Sequence, residues 1–220
     1  MRIKNLKISL ALAAFGLLAA QSAAAYTINL GGNTVANQGI VSSVIGAVTQ
    51  DFNSSLSLPS GYTGAAVVNG SVGGQYASPP NDTSNYFTVG GNAGSPGSLA
   101  IGYLANYFGF YGGSPDTYNS LELFNGSTSV LSLTGAQIAS AAGVPPDGNQ
   151  SVGNYFNIFA NGTNEYFDRV VFISGAAAFE TDNHAVLAAP VPEPETYAMM
   201  LAGLGVMGLV ARRRKQSSVI

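Results

Sequence analysis

The 220-residue sequence contains no cysteine and no tryptophan, and it has few positive charges. Without cysteine, disulfide bonds, thiol nucleophiles and thiolate metal sites are all excluded. Seven of the eight lysine and arginine residues lie at the two ends, and Arg169 is the only one between them. Residues 26–191 therefore carry one cation against nine acids, a formal charge of −8. A body with this charge repels polyanions, which argues against nucleic acid as a partner and favours a cation.

The first 25 residues have the three parts of a secretion signal. Positive charges come first, an apolar stretch runs to Ala20, and Ala23 and Ala25 place small residues just before Tyr26. This order predicts a signal helix that signal peptidase removes before Tyr26. The apolar stretch is shorter than the about 20 residues that a bilayer crossing needs, so we prefer cleavage to a retained anchor.

The other end of the chain pairs a short apolar run with a basic cluster. Residues 197–211 carry no charge, and Arg212, Arg213, Arg214 and Lys215 follow directly. We expect a short transmembrane helix whose basic end works as a stop-transfer signal and stays in the cytoplasm. The run of fifteen residues is short for a stable span of about 20, which suits a temporary membrane anchor.

An extended motif, Val191-Pro192-Glu193-Pro194, lies immediately before that run. Its two prolines lack amide donors and favour an extended, unpaired backbone that can enter a protease cleft. Together with the apolar run and the basic end, it resembles the PEP-CTERM sorting signal over residues 190–215. Such tails are also catalogued as the ice-binding protein C-terminal domain. That name belongs to the tail, so it implies nothing about what the body binds.

The resemblance implies processing by an exosortase. In that family, the membrane enzyme recognises the Pro-Glu-Pro motif, removes the helix and releases or attaches the body at the surface of Gram-negative bacteria that make exopolysaccharide. It therefore predicts a chain that is exported, transiently anchored in the membrane, and then located at the cell surface or outside the cell. The alternative is an uncut tail, which would leave a permanent single-pass membrane protein.

Residues 26–189 form the predicted extracellular body. Glycine, serine, asparagine and threonine dominate this segment and are interrupted by short β-branched and aromatic runs, which is typical of many short strands. Asn125-Gly126 and Asn161-Gly162 have the sequence of tight hairpin turns. We predict an all-β fold for the body, an antiparallel β-sandwich of jelly-roll type.

One short helix is predicted within this body. Thr134 and Gln137 have the spacing of a capping box, in which each side chain satisfies an amide of the other residue. Gly143 can adopt the left-handed conformation that ends many helices. The helix should therefore begin after Thr134 and end at Gly143.

The densest group of polar residues lies in a predicted final hairpin of residues 166–186. Because they are two residues apart on a strand, Glu180, Asp182 and His184 should share one side, with the intervening residues on the other. Ca²⁺ prefers oxygen ligands, so Glu180 and Asp182 are candidates for holding this ion. The alternative is a solvated strand surface on which Arg169 pairs with one acid. The leading expectation is a body without a cofactor.

A second candidate site is the aromatic run of residues 103–111. Aromatic rings offer apolar area to the C–H groups of sugars. Tyr107, Tyr111 and the nearby Asp116 are therefore candidates for a glycan-binding surface.

Catalysis is less favoured by the sequence. His184 is the only histidine, and no nucleophile-elbow motif accompanies it. A glycosidase needs two carboxylates, for which Glu122, Glu165 and Glu180 are available. We therefore expect a non-catalytic binding or structural module associated with exopolysaccharide, with a secreted glycan-active enzyme as the alternative.

Overall fold

The computed structural model describes residues 26–191 and 194–216. The signal segment predicted for residues 1–25 lies outside these ranges, as do Pro192 and Glu193 of the extended motif. The strands of the described chain are β1 (Tyr26–Leu30), β2 (Asn33–Thr34), β3 (Ile40–Val41), β4 (Val48–Gln50), β5 (Tyr62–Thr63), β6 (Ala66–Asn69), β7 (Asn85–Val89), β8 (Gly97–Gly112), β9 (Asn119–Asn125), β10 (Thr128–Thr134), β11 (Asn154–Ala160), β12 (Phe167–Ser174) and β13 (Phe179–Ala188). Its α-helices are α1 (Gly135–Ala142) and α2 (Pro194–Gln216), and its 3-10 helices are Gly91–Ala93 and Thr163–Glu165.

Eleven of these strands form a single antiparallel sheet, and β2 and β3 pair separately. The main path of the sheet runs β10-β9-β12-β8-β13-β7-β6, with β1, β4, β5 and β11 pairing along its sides. The predicted all-β class of the body is confirmed. The jelly-roll sandwich is not confirmed, because the main strands join in one curled sheet.

Strand β8 lies at the centre of the sheet and explains its curl. Its first part pairs with β5 and β12, and its last part pairs with β11 and β13. Between these parts, Gly102 has a φ of +83°, and the register with β12 shifts between Ala100 and Ala105. This irregularity bends the strand of sixteen residues, so it changes partners without a break.

Two local predictions are confirmed. Strands β9 and β10 form a hairpin at Asn125-Gly126. Helix α1 begins after Thr134, whose side chain accepts the N–H of Gln137 at 3.2 Å while the Gln137 side chain accepts the N–H of Thr134 at 2.9 Å. The helix ends at Gly143, which has a φ of +74°.

Two predicted hairpins are wrong. Strands β11 and β12 flank the Asn161-Gly162 turn but do not pair, since β11 pairs with β1 and β8, and β12 with β8 and β9. Strands β12 and β13 do not form the predicted final hairpin either, because β8 lies between them. In both cases the two strands pair with the long central strand β8 and not with each other.

Aromatic side chains fill the interior, in two clusters. The larger cluster includes Phe52, Phe108 and Phe172, and the smaller one consists of buried Tyr107, Tyr111, Tyr155 and Ala185. Strand β13 contributes Ala185 to the smaller cluster and Val186 to the larger one. It is therefore buried on both sides, which sets the environment of its polar residues.

Candidate functional site

The three polar residues predicted to share one side of a strand lie on β13, and all of them are buried. Glu180, Asp182 and His184 expose 7%, 0% and 1% of their surface, which excludes the solvated strand surface. The side of the strand predicted for His184 is wrong. Its Nε2 lies 2.8 Å from Oγ1 of Thr181, one of the intervening residues predicted to lie on the opposite side. The register of β13 shifts after Asp182, and Asn183 has a φ of +50°. This bulge turns His184 to the side of Thr181.

His184 belongs to the hydrophobic core. Its ring stacks on Phe172, with 4.9 Å between centroids, and meets Phe52 edge-on at 5.0 Å. Its Nδ1 lies 3.1 Å from the hydroxyl of Tyr62. Burial lowers the pKa of His184 to about 3, so the ring is neutral near pH 7. Both nitrogens are engaged inside the protein, which leaves neither for a substrate or a metal.

Tyr107 and Tyr111 also lie in the interior, so the predicted glycan-binding surface is wrong for these two rings. The Tyr107 hydroxyl donates to Oδ1 of Asn157 at 2.8 Å, and the Tyr111 hydroxyl donates to the main-chain oxygen of Pro80. Their alternation along β8 places them in the smaller core cluster. Asp116, the third residue of that candidate surface, is partly exposed elsewhere.

An open cleft brings Asp116 and Glu180 to one place. Its volume is about 290 Å³, near the lower end of the range of roughly 300–1,000 Å³ for ligand sites. Its lining residues come from four segments that are distant in the sequence, residues 71–77, 116–118, 148–150 and 177–180. We call it the acidic cleft.

Local backbone geometry holds Asp116 at the acidic cleft. Asp116 forms an isolated bridge with Asp147, and its Oδ2 accepts a hydrogen bond of 2.7 Å from the hydroxyl of Tyr118. Gly148 has a φ of +63°, and a Cβ at this position would lie 2.4 Å from Oδ1 of Asp116. Only glycine therefore allows the carboxylate to approach the chain in this way.

Glu180 is the more buried carboxyl group of the acidic cleft. Its Oε1 accepts the N–H of Ala77 at 2.7 Å. Burial raises the pKa of Glu180, the N–H of Ala77 opposes that rise, and the charge of Asp116 adds to it. The cleft thus holds two carboxyl groups in different environments.

Sequence reasoning missed five polar side chains of the acidic cleft, namely Ser71, Gln75, Tyr76, Tyr118 and Gln150. Tyr118 is 37% exposed. Oε1 of Gln150 is buried and has no hydrogen-bond partner among the described residues. A buried oxygen without a donor is unfavourable. Of these residues, only Tyr118 could have been suspected from the sequence, because it is two residues from the candidate Asp116.

Asp182 has a different partner from Glu180. Burial and the neighbouring carboxyl group of Asp82 raise the pKa of Asp182 to about 10. Within residues 26–191 and 194–216, no group of three or more histidine, cysteine or acidic side chains is arranged to hold a metal ion. The role of Glu180 and Asp182 as Ca²⁺ ligands stays a prediction.

The other glutamates considered for catalysis lie outside the acidic cleft. Glu122 is on β9, where its Oε1 accepts the hydroxyl of Ser132 at 3.4 Å. Glu165 is in a 3-10 helix, and its main-chain oxygen accepts the hydroxyl of Tyr26. Of the three glutamates, only Glu180 lines the cleft.

Two wider depressions offer less polar chemistry. The first, of about 480 Å³, includes Arg169, which lies 4.0 Å from the ring centre of Phe124. Its Asp168 already accepts the N–H of Gly126 at 3.1 Å. The second, of about 470 Å³, is mostly apolar and lies beside Tyr166. Neither is lined by a buried side-chain nitrogen or oxygen that lacks a partner within the described chain.

The C-terminal tail has the pattern of a known sorting signal. Residues 190–215 match the family model described as the PEP-CTERM protein-sorting motif. This chain carries a PEP-CTERM motif. No curated protein and no solved structure matches the chain. The PEP-CTERM match confirms the resemblance and indicates export to the cell surface or beyond through an exosortase. It covers the tail and carries no information about the body.

Helix α2 begins at Pro194, within the PEP-CTERM motif, and extends to Gln216. Several of its apolar side chains are exposed, among them Met199 and Leu201. Among residues 26–191 and 194–216, no helix combines the length and apolarity required to cross a membrane. The transmembrane helix predicted for residues 197–211 is therefore not confirmed.

Proposed function

We propose that this chain is an exported surface protein whose body binds exopolysaccharide without cleaving it, after an exosortase has removed the tail. Delivery rests on the PEP-CTERM motif. The observation that carries the binding function is the open cleft of about 290 Å³ in which Tyr76 and Tyr118 lie beside the carboxyl group of Asp116. The binding body comprises residues 26–189, and the sorting signal comprises residues 190–215.

The chemistry of the acidic cleft suits a sugar. Tyr76 and Tyr118 contribute aromatic rings to its wall, and such rings pack against the C–H groups of a pyranose. Asp116 contributes carboxylate oxygens, which accept hydrogen bonds from hydroxyl groups. Ligand sites commonly combine apolar area with a few polar groups in this way.

The charge of the body narrows the class of polysaccharide. Residues 26–191 carry a formal charge of −8, and their one cation, Arg169, lies over the ring of Phe124. Acidic polysaccharides are repelled by such a surface, as nucleic acids are. The favoured ligand is therefore a neutral or amine-bearing exopolysaccharide.

Equilibrium binding of the host's surface polysaccharide to the exported protein tests this proposal. Tyr118→Ala should lower the affinity roughly tenfold, which corresponds to about 1.4 kcal/mol, because it removes a ring from the acidic cleft. Tyr103→Ala is the matched control, since Tyr103 is a similarly exposed tyrosine outside this cleft. Equal losses in the two variants would mean that the ligand binds elsewhere.

A secreted glycan-active enzyme is the second candidate, because the acidic cleft holds two carboxyl groups of unequal burial. Burial raises the pKa of Glu180, as the general acid of a glycosidase requires, and Asp116 is the more exposed partner. Release of reducing ends from the polysaccharide separates the two functions. Binding without release supports the binding module, whereas release that Glu180→Gln abolishes identifies an enzyme.

The processing of the tail is tested separately, by the intact mass of the protein recovered from the cell surface. We expect a chain that begins at Tyr26, after signal peptidase, and lacks residues 197–220, after exosortase. A mass that still includes residues 197–220 would instead support a permanent membrane anchor. The host is expected to be a Gram-negative bacterium that makes exopolysaccharide and encodes an exosortase.

A further inference from the structure

Two carboxyl groups meet in the interior, between β13 and the loop before β7. Asp182 is fully buried and Asp82 is 4% exposed. The chain holds them close together, because Asn183 donates to the main-chain oxygen of Gln38 and Gln38 bridges Asp82. One oxygen of each is held by the main chain. Oδ1 of Asp182 accepts the N–H of Asn183 at 2.7 Å, and Oδ1 of Asp82 accepts the N–H of Ser84 at 2.8 Å. These bonds fix the orientation of both carboxyl groups.

Three oxygens at this position lack a donor. They are Oδ2 of Asp82, Oδ2 of Asp182 and Oδ1 of Asn183, all of them buried and without a hydrogen-bond donor in the described chain. The amide of Asn183 is oriented by its Nδ2, which donates to the main-chain oxygens of Gln38 at 2.6 Å and Ile40 at 3.1 Å. Its Oδ1 is therefore a free acceptor, and burying such an acceptor is costly.

No positive side chain is available to neutralise the pair. Arg169 is the only lysine or arginine between residues 26 and 191, and it lies over Phe124 and donates to the main-chain oxygen of Gly126. His184 is neutral, and both of its nitrogens are engaged. The compensating charge must therefore come from solution, as a cation or as a proton.

We propose that this pair is a Ca²⁺ site in which Asp82, Asp182 and Asn183 supply side-chain oxygens. Ca²⁺ takes six to eight oxygen ligands, including amide, main-chain and water oxygens. Softer metals favour sulfur or imidazole, and the chain contains no cysteine. The site has only two carboxylates, which agrees with the finding that no three acidic, histidine or cysteine side chains of the described chain form a metal cluster.

The site would cross-link two parts of the chain that are distant in the sequence, and a third part already contacts both. Gln38 forms an isolated bridge with Asp82, and the N–H of Thr83 donates to the main-chain oxygen of Asn37 at 3.0 Å. Asn183 ties the same region to β13 through Gln38. An exported body without disulfides is stabilised by such a link. Extracellular modules bind Ca²⁺ with Kd values of about 10⁻⁴–10⁻³ M.

The test is the melting temperature of the full-length chain in detergent, stripped with EDTA and measured near neutral pH with and without Ca²⁺. At a Ca²⁺ concentration about a hundredfold above Kd, we expect Tm to rise by roughly 5 to 10 °C. Asp82→Asn and Asp182→Asn should lose this rise yet fold, because the new amide donates to the remaining carboxylate. Glu122→Gln, which removes a carboxylate on β9, should keep it.

Equilibrium dialysis with radioactive calcium gives a second readout that needs no variant. The wild-type chain should bind one ion, and the site is absent if it binds none. A Tm that Ca²⁺ does not change would overturn the proposal, and so would a rise of full size in Asp182→Asn. Stability that responds to pH but not to Ca²⁺ would show that the pair shares a proton instead.

Discussion

Glu180 and Asp182 are two residues apart on one strand, yet they lie in regions of opposite character. Glu180 lines the open acidic cleft, and its Oε1 has the N–H of Ala77 as a donor. Asp182 is closed in against Asp82, and its Oδ2 has no donor in the described chain. Burial raises the pKa of both residues. A raised pKa therefore does not distinguish a carboxyl group in an open cleft from one that is closed inside the fold. Access to solvent does distinguish them.

The two regions should respond differently to substitution. The closed region, which comprises Asp82, Asp182 and His184, lies among aromatic rings and connects strands, so changes there should alter folding. The open region is the acidic cleft, where changes should alter ligand binding and leave folding nearly intact.

The largest effect is expected in the closed region, for His184→Ala. The substitution leaves a cavity beside Phe52 and Phe172 and removes the partner of the Tyr62 hydroxyl. Emptying a buried aromatic position costs about 3–5 kcal/mol, so we expect a loss of this size in urea unfolding. Ile45→Ala, at a side chain that is 95% exposed, should change the free energy of unfolding by less than about 0.5 kcal/mol. Similar losses in the two variants would contradict the core position of His184.

The second effect is a loss of stability at alkaline pH. Without Ca²⁺, the folded chain retains a proton on Asp182 up to a pKa of about 10, whereas the unfolded chain loses it near pH 4. Stability should therefore fall as pH rises, by up to about 1.4 kcal/mol per pH unit. Urea unfolding in EDTA between about pH 7 and 9.5, below the ionisation of unfolded tyrosines, measures this slope.

The matched variant for this slope is Asp182→Asn, which carries no proton to lose. Its free energy of unfolding should be nearly independent of pH in the same window. A slope equal to that of the wild-type chain would place the titrating group elsewhere.

The third effect concerns the open region. In Gly148→Ala, the new Cβ would lie 2.4 Å from Oδ1 of Asp116, so the carboxylate must move and polysaccharide affinity should fall roughly tenfold, or about 1.4 kcal/mol. Gly143→Ala has a similar positive φ but meets no atom within 4 Å. It should cost similar backbone strain and leave binding unchanged. If both variants bind like the wild type, Asp116 does not contribute to the site.

The smallest effect is expected for Tyr118→Phe, which keeps the ring and removes only the hydroxyl that donates to Asp116 at 2.7 Å. The loss of one such hydrogen bond is worth about 1 kcal/mol. Calorimetric titration should show a decrease in affinity of about fivefold, smaller than that of Tyr118→Ala. A loss as large as that of the alanine variant would assign binding to the hydroxyl rather than to the ring.

Features encoded by neighbouring residues could be predicted from the sequence. The PEP-CTERM motif is read from residues 190–215, which form one continuous segment. The capping box of Thr134 and Gln137 spans four residues, and the Asn125-Gly126 turn joins strands that are adjacent in the chain. In each case the physical signal and its partner lie within a few residues of each other.

Features that depend on distant contacts could not be predicted. The acidic cleft joins segments around residues 75, 117, 149 and 179, and nothing in one segment specifies the others. The pairing of Asp182 with Asp82 spans a hundred residues. The side of β13 occupied by His184 depends on the bulge at Asn183, which simple alternation along a strand does not anticipate.

The most direct test of the account is amide hydrogen exchange of the exported protein with and without bound polysaccharide. We expect ligand-dependent protection in the lining of the acidic cleft, in residues 71–77, 116–118, 148–150 and 177–180, and unchanged exchange in residues 182–186, which are already closed to solvent. Protection confined to the surface near Arg169 and Tyr103, or no protection at saturating polysaccharide, would contradict the assignment of the acidic cleft as the binding site.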